Sequence, residues 1–291
     1  MAASAAVIAS VMTSSLPSRV RTVLNVLVVP AAYRCGVLDH RSLLDTPHLR
    51  VSAVRCPGGH AWSPVEPAAR SSVVLVRRGV FARRVDGVTA IADVTTGYVQ
   101  RPGEWQQVAH PAGGDICTSI GVADEVADRF GAVVVKPAAD LAHRRLIARA
   151  ARSPSAIDLV DLATALVDVL LPSSRGATPP PAARRAVDEV RSALHASPEF
   201  GLDDLAALVG WSPWYLSRTF RRVAGTTIGG YRRTLRVRAA LDGLTTGGES
   251  LGALAARVGF ADQAHMTRAM RREIDLSPAA ARRLLHAAGR G

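Results

Sequence analysis

The chain contains LDDLAALVGWSPWYLSRTFRR at residues 202–222 and LGALAARVGFADQAHMTRAMRR at residues 251–272, and the two stretches share one pattern. Their first halves match at an offset of 49 residues, and one inserted residue raises the offset to 50, so that Arg218 corresponds to Arg268. Internal similarity of this kind indicates a supersecondary unit that occurs twice.

Each copy predicts a helix-turn-helix. A short apolar-periodic helix runs into a glycine, Gly210 or Gly259, which can adopt the positive φ that a tight turn requires. Ser212 then provides an N-cap and Pro213 fits the first helical turn, while Asp262 can cap the second helix of the other copy.

The second helix of each copy has a basic face. Leu216 and Phe220 lie four residues apart and predict the inward side, whereas Arg218 and its neighbours fall elsewhere, and no acidic residue occurs at 213–222. Such a face suits a DNA major groove, because phosphates attract arginine and base edges accept its planar fork. A solvated face of a helical bundle explains either copy alone, but it does not explain two copies joined by an amphipathic helix at 228–244.

Residues from about 183 to 285 resemble the DNA-binding module of AraC/XylS-type transcription regulators. The matching phrases are LAALVGWSPWYLSRTFRR (205–222), YRRTLRVRAAL (231–241) and VGFADQAHMTRAMRREIDLSPAAARR (258–283). Met266 and Met270 stand where the family usually has phenylalanine, Asp275 stands where it favours glycine, and Ala281 replaces a usual tyrosine. The methionines keep the apolar volume.

The resemblance implies a role for each recognition helix. The two helices would enter successive major grooves about one helical turn apart on double-stranded operator DNA. The implied base-reading residues are Trp214, Ser217, Arg218, Gln263, His265 and Arg268. The implied phosphate contacts are Arg221, Arg222, Arg271 and Arg272.

Composition favours two domains and an anionic partner. A chain of 291 residues is longer than a single hydrophobic core usually supports. Hydrophobic residues make up 48% of it, but no apolar run is long enough to span a membrane. A net charge of +12 fits nucleic acid. Residues 1–18 are small and neutral, and a flexible tail is predicted at 1–20. Three scattered cysteines, Cys35, Cys56 and Cys117, fit a reducing cytoplasm.

Residues 21–135 predict a β-barrel. Short runs rich in valine and isoleucine at 24–29, 49–54, 73–76 and 88–92 are separated by proline and glycine. In the AraC-like family this place is held by a cupin-like barrel that senses an effector, and ARSSVVLVRRGVFARRV (69–85) with RPGEWQQVAH (101–110) resembles it. A glutamine-amidotransferase-like sensor begins with a similar strand, but its nucleophile-elbow cysteine is missing.

Residues 136–171 predict a helical pair, residues 172–181 a proline-rich linker, and residues 182–291 the double helix-turn-helix domain, so the fold class is α+β. The second helix of the pair carries an apolar stripe of Leu159, Leu162, Leu166 and Leu170. Such a stripe is often intradomain core. In the family, however, the paired helices commonly form the dimer contact, and both interpretations stay open.

The barrel also contains candidate ligands for an effector, a metal ion or an oxidant: Cys56, His60, His110 and Cys117, with Glu66 nearby. Cysteine and histidine are the ligands that a soft or borderline metal prefers, so a metal ion in the barrel is a possible cofactor. The His-x-His motif of metal-dependent cupin enzymes is missing. The alternative is a buried structural cysteine with a hydrogen-bonded histidine.

Three further classes of function fit the sequence less well. A metal-dependent cupin enzyme leaves the doubled DNA module unexplained, and an alkyl-accepting repair protein needs a cysteine-rich metal cradle. A non-specific nucleoid binder needs neither two shaped recognition helices nor a sensor. The sequence therefore predicts a non-enzymatic, cytoplasmic, homodimeric transcription regulator, an activator that contacts RNA polymerase and responds to a small-molecule, metal or redox signal.

Overall fold

The computed structural model describes residues 39–46, 49–59, 62–152, 156–171 and 179–286. No helix within these ranges is long and apolar enough to cross a membrane. The predicted tail, the predicted strand at 24–29, Cys35, His60 and most of the predicted linker lie outside the described residues.

The N-terminal half is an antiparallel β-structure. Its strands are β1 (Asp39–Asp45), β2 (Arg50–Cys56), β3 (Glu66–Pro67), β4 (Ser72–Arg78), β5 (Val80–Val85), β6 (Val88–Asp93), β7 (Thr96–Gln100), β8 (Trp105–Ala109), β9 (Asp115–Gly121) and β10 (Val133–Val134). The order in the sheet is β1-β2-β9-β4-β7-β6-β5-β8-β3, with β10 beside β7. Strand β2 pairs with β9, β3 with β8, β4 with β7 and β5 with β6. Each pair is nested in the sequence inside the one before it, which is the pairing of a jelly roll. This is the cupin-like barrel that the sequence predicted.

Alternating residues of the central strands serve two different layers. On β9, Cys117 and Ser119 line the interior of the barrel, whereas Thr118 and Ile120 face the opposite side. Strand β4 is buried on both faces for the same reason, and its near-continuous apolar run reflects that position.

The outer face of this sheet is covered by helices. These are α1 (Asp124–Ala127), α2 (Pro137–Ala150) and α3 (Ala156–Leu170), and they share one hydrophobic core with β2, β4, β7 and β9. Leu159, Leu166 and Leu170 lie inside this core, and Leu162 packs against it. The structure therefore supports the intradomain-core interpretation for Leu159, Leu166 and Leu170, whereas the half-buried Leu162 keeps some exposed surface and the dimer contact stays a prediction.

The C-terminal half is entirely helical within the described residues. Its helices are α4 (Pro181–Ala196), α5 (Leu202–Leu208), α6 (Pro213–Ala224), α7 (Ile228–Thr246), α8 (Leu251–Arg257), α9 (Gln263–Ile274) and α10 (Pro278–His286). Helices α4, α5 and α6 form one core around Leu216, Phe220 and Tyr231. Helices α7 to α10 form a second core in which Met266 and Met270 have no exposed surface.

The predicted turns and caps are confirmed. Gly210 and Gly259 adopt φ values of 67° and 82°, and the side chains of Ser212 and Asp262 cap α6 and α9. Asp275, where the resemblance expects glycine, adopts φ of 57° and ends α9 in the left-handed conformation. Aspartate is one of the few other residues that tolerate this conformation, so the departure keeps the helix end intact.

Candidate DNA interface and effector cavity

The first recognition helix, α6, presents an aromatic and basic surface. Trp214 is 65% exposed, although tryptophan is usually well covered in folded proteins. The Arg218 guanidinium lies 4.6 Å from the centre of the Trp214 ring, and Tyr215 packs edge-on against Trp211. This stacking restrains the arginine on the exposed face. Ser217 is half-buried beside it.

The second recognition helix, α9, presents Gln263 and Arg268 to the outside. His265 is half-buried, its ring packs edge-on against Phe260, and its Nδ1 accepts a hydrogen bond from the Ala261 amide at 3.4 Å. The imidazole therefore has only its Nε2 side available for an outside partner.

Both helices carry arginines that have no carboxylate partner within the described ranges. Each of them is exposed: Arg218, Arg221, Arg222, Arg268, Arg271 and Arg272. By contrast, arginines on neighbouring elements, such as Arg233 and Arg257, form ion pairs with glutamates. The two recognition helices thus keep an uncompensated positive surface, which is what phosphate binding requires.

The barrel docks on the DNA module through a buried carboxylate. Asp93, the last residue of β6, has no exposed surface and is 2.7 Å from the Arg191 guanidinium of α4. It also accepts hydrogen bonds from the Tyr231 hydroxyl of α7 and from Thr95 and Thr96 just after it. Burial acts to raise the pKa of Asp93, but Arg191 and the hydrogen bonds more than offset it and hold the pKa well below its usual range.

A second charged cluster joins α2 to α7. The Asp140 carboxylate pairs with Arg144 at 2.9 Å and with Arg238 at 2.7 Å, and Arg144 continues to Asp242 at 3.1 Å. Asp140, Arg144 and Arg238 are all buried. Burial acts to raise the pKa of Asp140, but the two guanidinium groups lower it to about 2. Arg77 of β4 also lies 3.6 Å from Asp242, so three guanidinium groups share two carboxylates and link β4 and α2 to α7.

A buried histidine links the sheet to α2. His143 Nε2 and Thr118 Oγ1 on β9 are 2.7 Å apart, and His143 has no exposed surface. Burial lowers the pKa of His143 to about 3, so the imidazole is neutral at physiological pH.

The barrel encloses a cavity of about 600 Å³. Such a volume is typical of small-molecule sites. Apolar lining comes from Val54, Val74, Phe81, Tyr98 and Val108, and polar lining from Ser52, Ser72, Gln100, Gln106 and Ser119. Arg50, Arg70 and Glu66 also line it. The cavity can therefore hold an apolar body with polar groups.

Two of the four predicted barrel ligands converge with a residue that the sequence interpretation missed. Cys56, His110 and Asp115 place their ligand atoms within 4.8 Å of one another. Cys117 is not in this group, and its thiol donates to Asp115 Oδ2 at 2.7 Å. Burial and the nearby Asp115 carboxylate raise the pKa of the Cys117 thiol well above its usual range. Asp115 could have been predicted from the sequence, because it lies two residues before Cys117 and residues two apart on a strand share a face.

Comparisons with known proteins assign the C-terminal half. A family model described as a helix-turn-helix domain matches residues 205–284. The regulatory protein SoxS of Salmonella typhimurium is 34% identical over 84 residues, which are 29% of this chain and 78% of SoxS. The regulator YbfI of Bacillus subtilis is 38% identical over 72 residues, 25% of this chain and 26% of that protein. The transcriptional regulator Rob of Salmonella typhimurium is 33% identical over 89 residues, 31% of each chain.

Solved structures similar to part of this chain include cupins. A cupin superfamily protein from Desulfitobacterium hafniense covers 34% of this chain and 87% of its own, with 12% identity and a TM-score of 0.27. An RmlC-like cupin from Shewanella frigidimarina covers 31% of this chain and 80% of its own, with 23% identity and a TM-score of 0.27.

Proposed function

The chain belongs to the AraC/XylS-type family of transcription regulators, and we propose that it reads operator DNA with α6 and α9 under the control of a signal received in the barrel cavity. One observation carries the proposal. The same exposed arginine positions, without carboxylate partners in the described chain, occur on the second helix of both copies. A merely structural helix pair gains nothing from two uncompensated basic faces.

The roles proposed for individual residues follow the exposure of each side chain. Trp214 and Arg218, which stack and project from α6, read base edges together with Ser217, and Gln263, His265 and Arg268 do so on α9. Arg221, Arg222, Arg271 and Arg272, in the last turn of each helix, contact phosphates.

The test is a gel shift with genomic fragments selected on the full-length protein, at two salt concentrations. A sequence-specific regulator should bind the selected fragments with at least about 10³-fold higher affinity than random competitor DNA. A non-specific nucleoid binder would lose all fragments equally as salt rises. Because the SoxS match covers most of that protein, the fragment 179–291 should bind the same sites alone.

The signal acts at the cavity and reaches DNA through the docked module. A small molecule with an apolar body fits the lining, and a metal ion is the second candidate. The high pKa keeps the Cys117 thiol protonated, which disfavours oxidation at this residue because the thiolate is the reactive form. We propose no catalytic activity.

We further propose a cytoplasmic homodimer that activates transcription through RNA polymerase. Because Leu159, Leu166 and Leu170 are buried within the chain, α3 would offer other side chains to a second copy. It carries Ile157, which is 74% exposed, and Val169, which is 52% exposed. Large apolar side chains at this exposure on one helix favour a partner surface.

A further inference from the structure

The lining of the cavity includes a group of three potential ligands from three chain segments. Cys56 ends β2, His110 follows β8 and Asp115 begins β9, and their ligand atoms lie within 4.8 Å of one another. All three side chains are nearly buried, at 2%, 3% and 4% exposure, and all three line the cavity. The group is thus largely shielded from bulk water and borders the cavity.

The loops that bring these side chains together are locked against each other. Gly58 and Gly113 adopt φ values of 106° and 96°, which other residues rarely tolerate. A side chain at Gly114 would approach the Cys56 carbonyl oxygen to 2.6 Å, so only glycine lets the two loops pack this closely. The geometry of the group is therefore built into the backbone.

Several polar atoms of His110 and Asp115 lack the hydrogen-bond partners that burial demands. His110 Nδ1 lies 2.6 Å from Asp115 Oδ1, but the pair does not have hydrogen-bond geometry, and His110 Nε2 has no hydrogen-bond partner among the described residues. No lysine or arginine of the described chain forms an ion pair with Asp115. A buried carboxylate and a buried, unpartnered imidazole nitrogen are each costly. One cation between them would satisfy both.

We infer that Cys56, His110 and Asp115 bind a divalent metal ion of the zinc class. Thiolate, imidazole and carboxylate are the ligands of such an ion, at about 2.0–2.3 Å from the metal. One thiolate and one carboxylate balance its two positive charges, which a buried site requires. Binding releases the proton of the Cys56 thiol to solvent.

The ligand number assigns the site a function beyond structure. Structural zinc sites have four protein ligands, whereas sites with three leave the fourth position to water or a ligand. All three candidate ligands line the cavity, so a metal ion held by them would be accessible to an effector with an oxygen or nitrogen donor. This step rests on the proposed sensing role of the cavity, but metal binding itself does not.

The test uses the full-length protein, purified without chelator and then stripped by dialysis. Titration with zinc ions against a coloured chelator should show one ion per chain, and cobalt(II) should give a thiolate-to-cobalt charge-transfer band. Cys56→Ser should abolish that band. His110→Gln and Asp115→Asn should weaken zinc binding at least about 100-fold, more than the loss typical of outer-sphere substitutions.

Two further variants act as controls. His143→Gln replaces a buried histidine on the other side of β9 and should leave zinc affinity unchanged. Cys117→Ser keeps a hydroxyl donor towards Asp115 and should lower the affinity for zinc by about 10-fold or less. Circular dichroism confirms the fold of each variant.

Several outcomes would overturn the inference. Wild-type protein that binds neither zinc nor cobalt stoichiometrically excludes the site, and a charge-transfer band that survives Cys56→Ser but not Cys117→Ser excludes the assigned ligands. A gel shift of stripped and loaded protein separates the two proposals. If the protein binds one metal ion per chain but no specific DNA, the proposed regulatory function is wrong and the metal site stands. If it binds specific DNA but no metal ion, the metal site is wrong and the regulatory function stands.

Discussion

Replacing Asp93 with asparagine tests whether buried charge holds the barrel on the DNA module. Asp93 has no exposed surface, it accepts hydrogen bonds from Arg191, Tyr231, Thr95 and Thr96, and His195 Nε2 lies 3.5 Å from it. Asparagine has the same size, but it removes the negative charge and brings two donors of its own into a site already filled with donors. Arg191 would then be a buried cation whose main partner is gone.

The expected loss is about 3–5 kcal/mol in the free energy of unfolding, the cost of removing one partner of a buried ion pair. Urea denaturation of the full-length protein, followed by circular dichroism and tryptophan fluorescence, measures it. Asp188→Asn is the matched control, because Asp188 also pairs with Arg191 but keeps 20% of its side-chain surface exposed. Burial raises the pKa of Asp188, so its charge is less strongly favoured, and the control should lose about 1 kcal/mol or less.

A double variant separates the ion pair from general damage to the interface. Arg191→Met combined with Asp93→Asn removes both charges, and buried ion pairs replaced by apolar groups often cost little. The double variant should therefore be more stable than the sum of the single losses predicts, by more than about 1 kcal/mol. A loss below about 1 kcal/mol for Asp93→Asn, or strict additivity, would refute the reasoning.

The remaining predictions concern DNA, assembly and pH. Arg218→Ala should cost about 1–3 kcal/mol in operator binding and relax preference at particular base pairs, whereas Arg222→Ala should weaken all sequences alike and flatten the salt dependence; equal, sequence-blind losses in quantitative gel shifts would contradict the assignment. Ile157→Glu with Val169→Glu should dissociate the dimer without unfolding the chain. If sedimentation shows an intact, folded dimer, these two side chains of α3 are not part of the contact. Because the pKa of His143 is about 3 in the folded chain and about 6.5 when unfolded, only the unfolded chain takes up this proton between pH 7 and pH 5. The free energy of unfolding should fall by about 2 kcal/mol over that range in the wild type, and His143→Gln should lack this decrease; an unchanged pH dependence in denaturation would show that another group is responsible.

The DNA module could be predicted from sequence because its signals are local and occur twice. Helix periodicity, the turn glycines and the caps at Ser212 and Asp262 each act within a few residues. The repetition then excluded a chance match to one short motif. In the jelly-roll pairing, by contrast, β2 pairs with β9, which lies far from it in the sequence. The sequence therefore predicted the strands but not their order in the sheet.

The docking interface could not be predicted because its partners are far apart in sequence. Tyr231 and Asp93 are separated by 138 residues, and Arg238 reaches the Val135 carbonyl across 103. In sequence, Arg191 and Arg238 resemble ordinary polar faces of amphipathic helices. The same limit applies to the leucines of α3, since an apolar stripe shows that a helix packs without showing against what. Asp115 did not stand out in the sequence, because an aspartate at the start of a strand is common whereas closely spaced cysteine and histidine are not.

The position of α7 explains how a signal in the cavity can reach both recognition helices. Tyr231 and Asp242, on one side of α7, contact the barrel, while Arg233 holds Glu273 of α9. Strand β4 lines the cavity, and Arg77 near its end lies 3.6 Å from Asp242. An effector that shifts β4 therefore acts on the helix that joins the two DNA-reading units, without passing through the linker. Such coupling is reciprocal: if the effector changes operator affinity by about 1–3 kcal/mol, operator DNA must change effector affinity by the same amount.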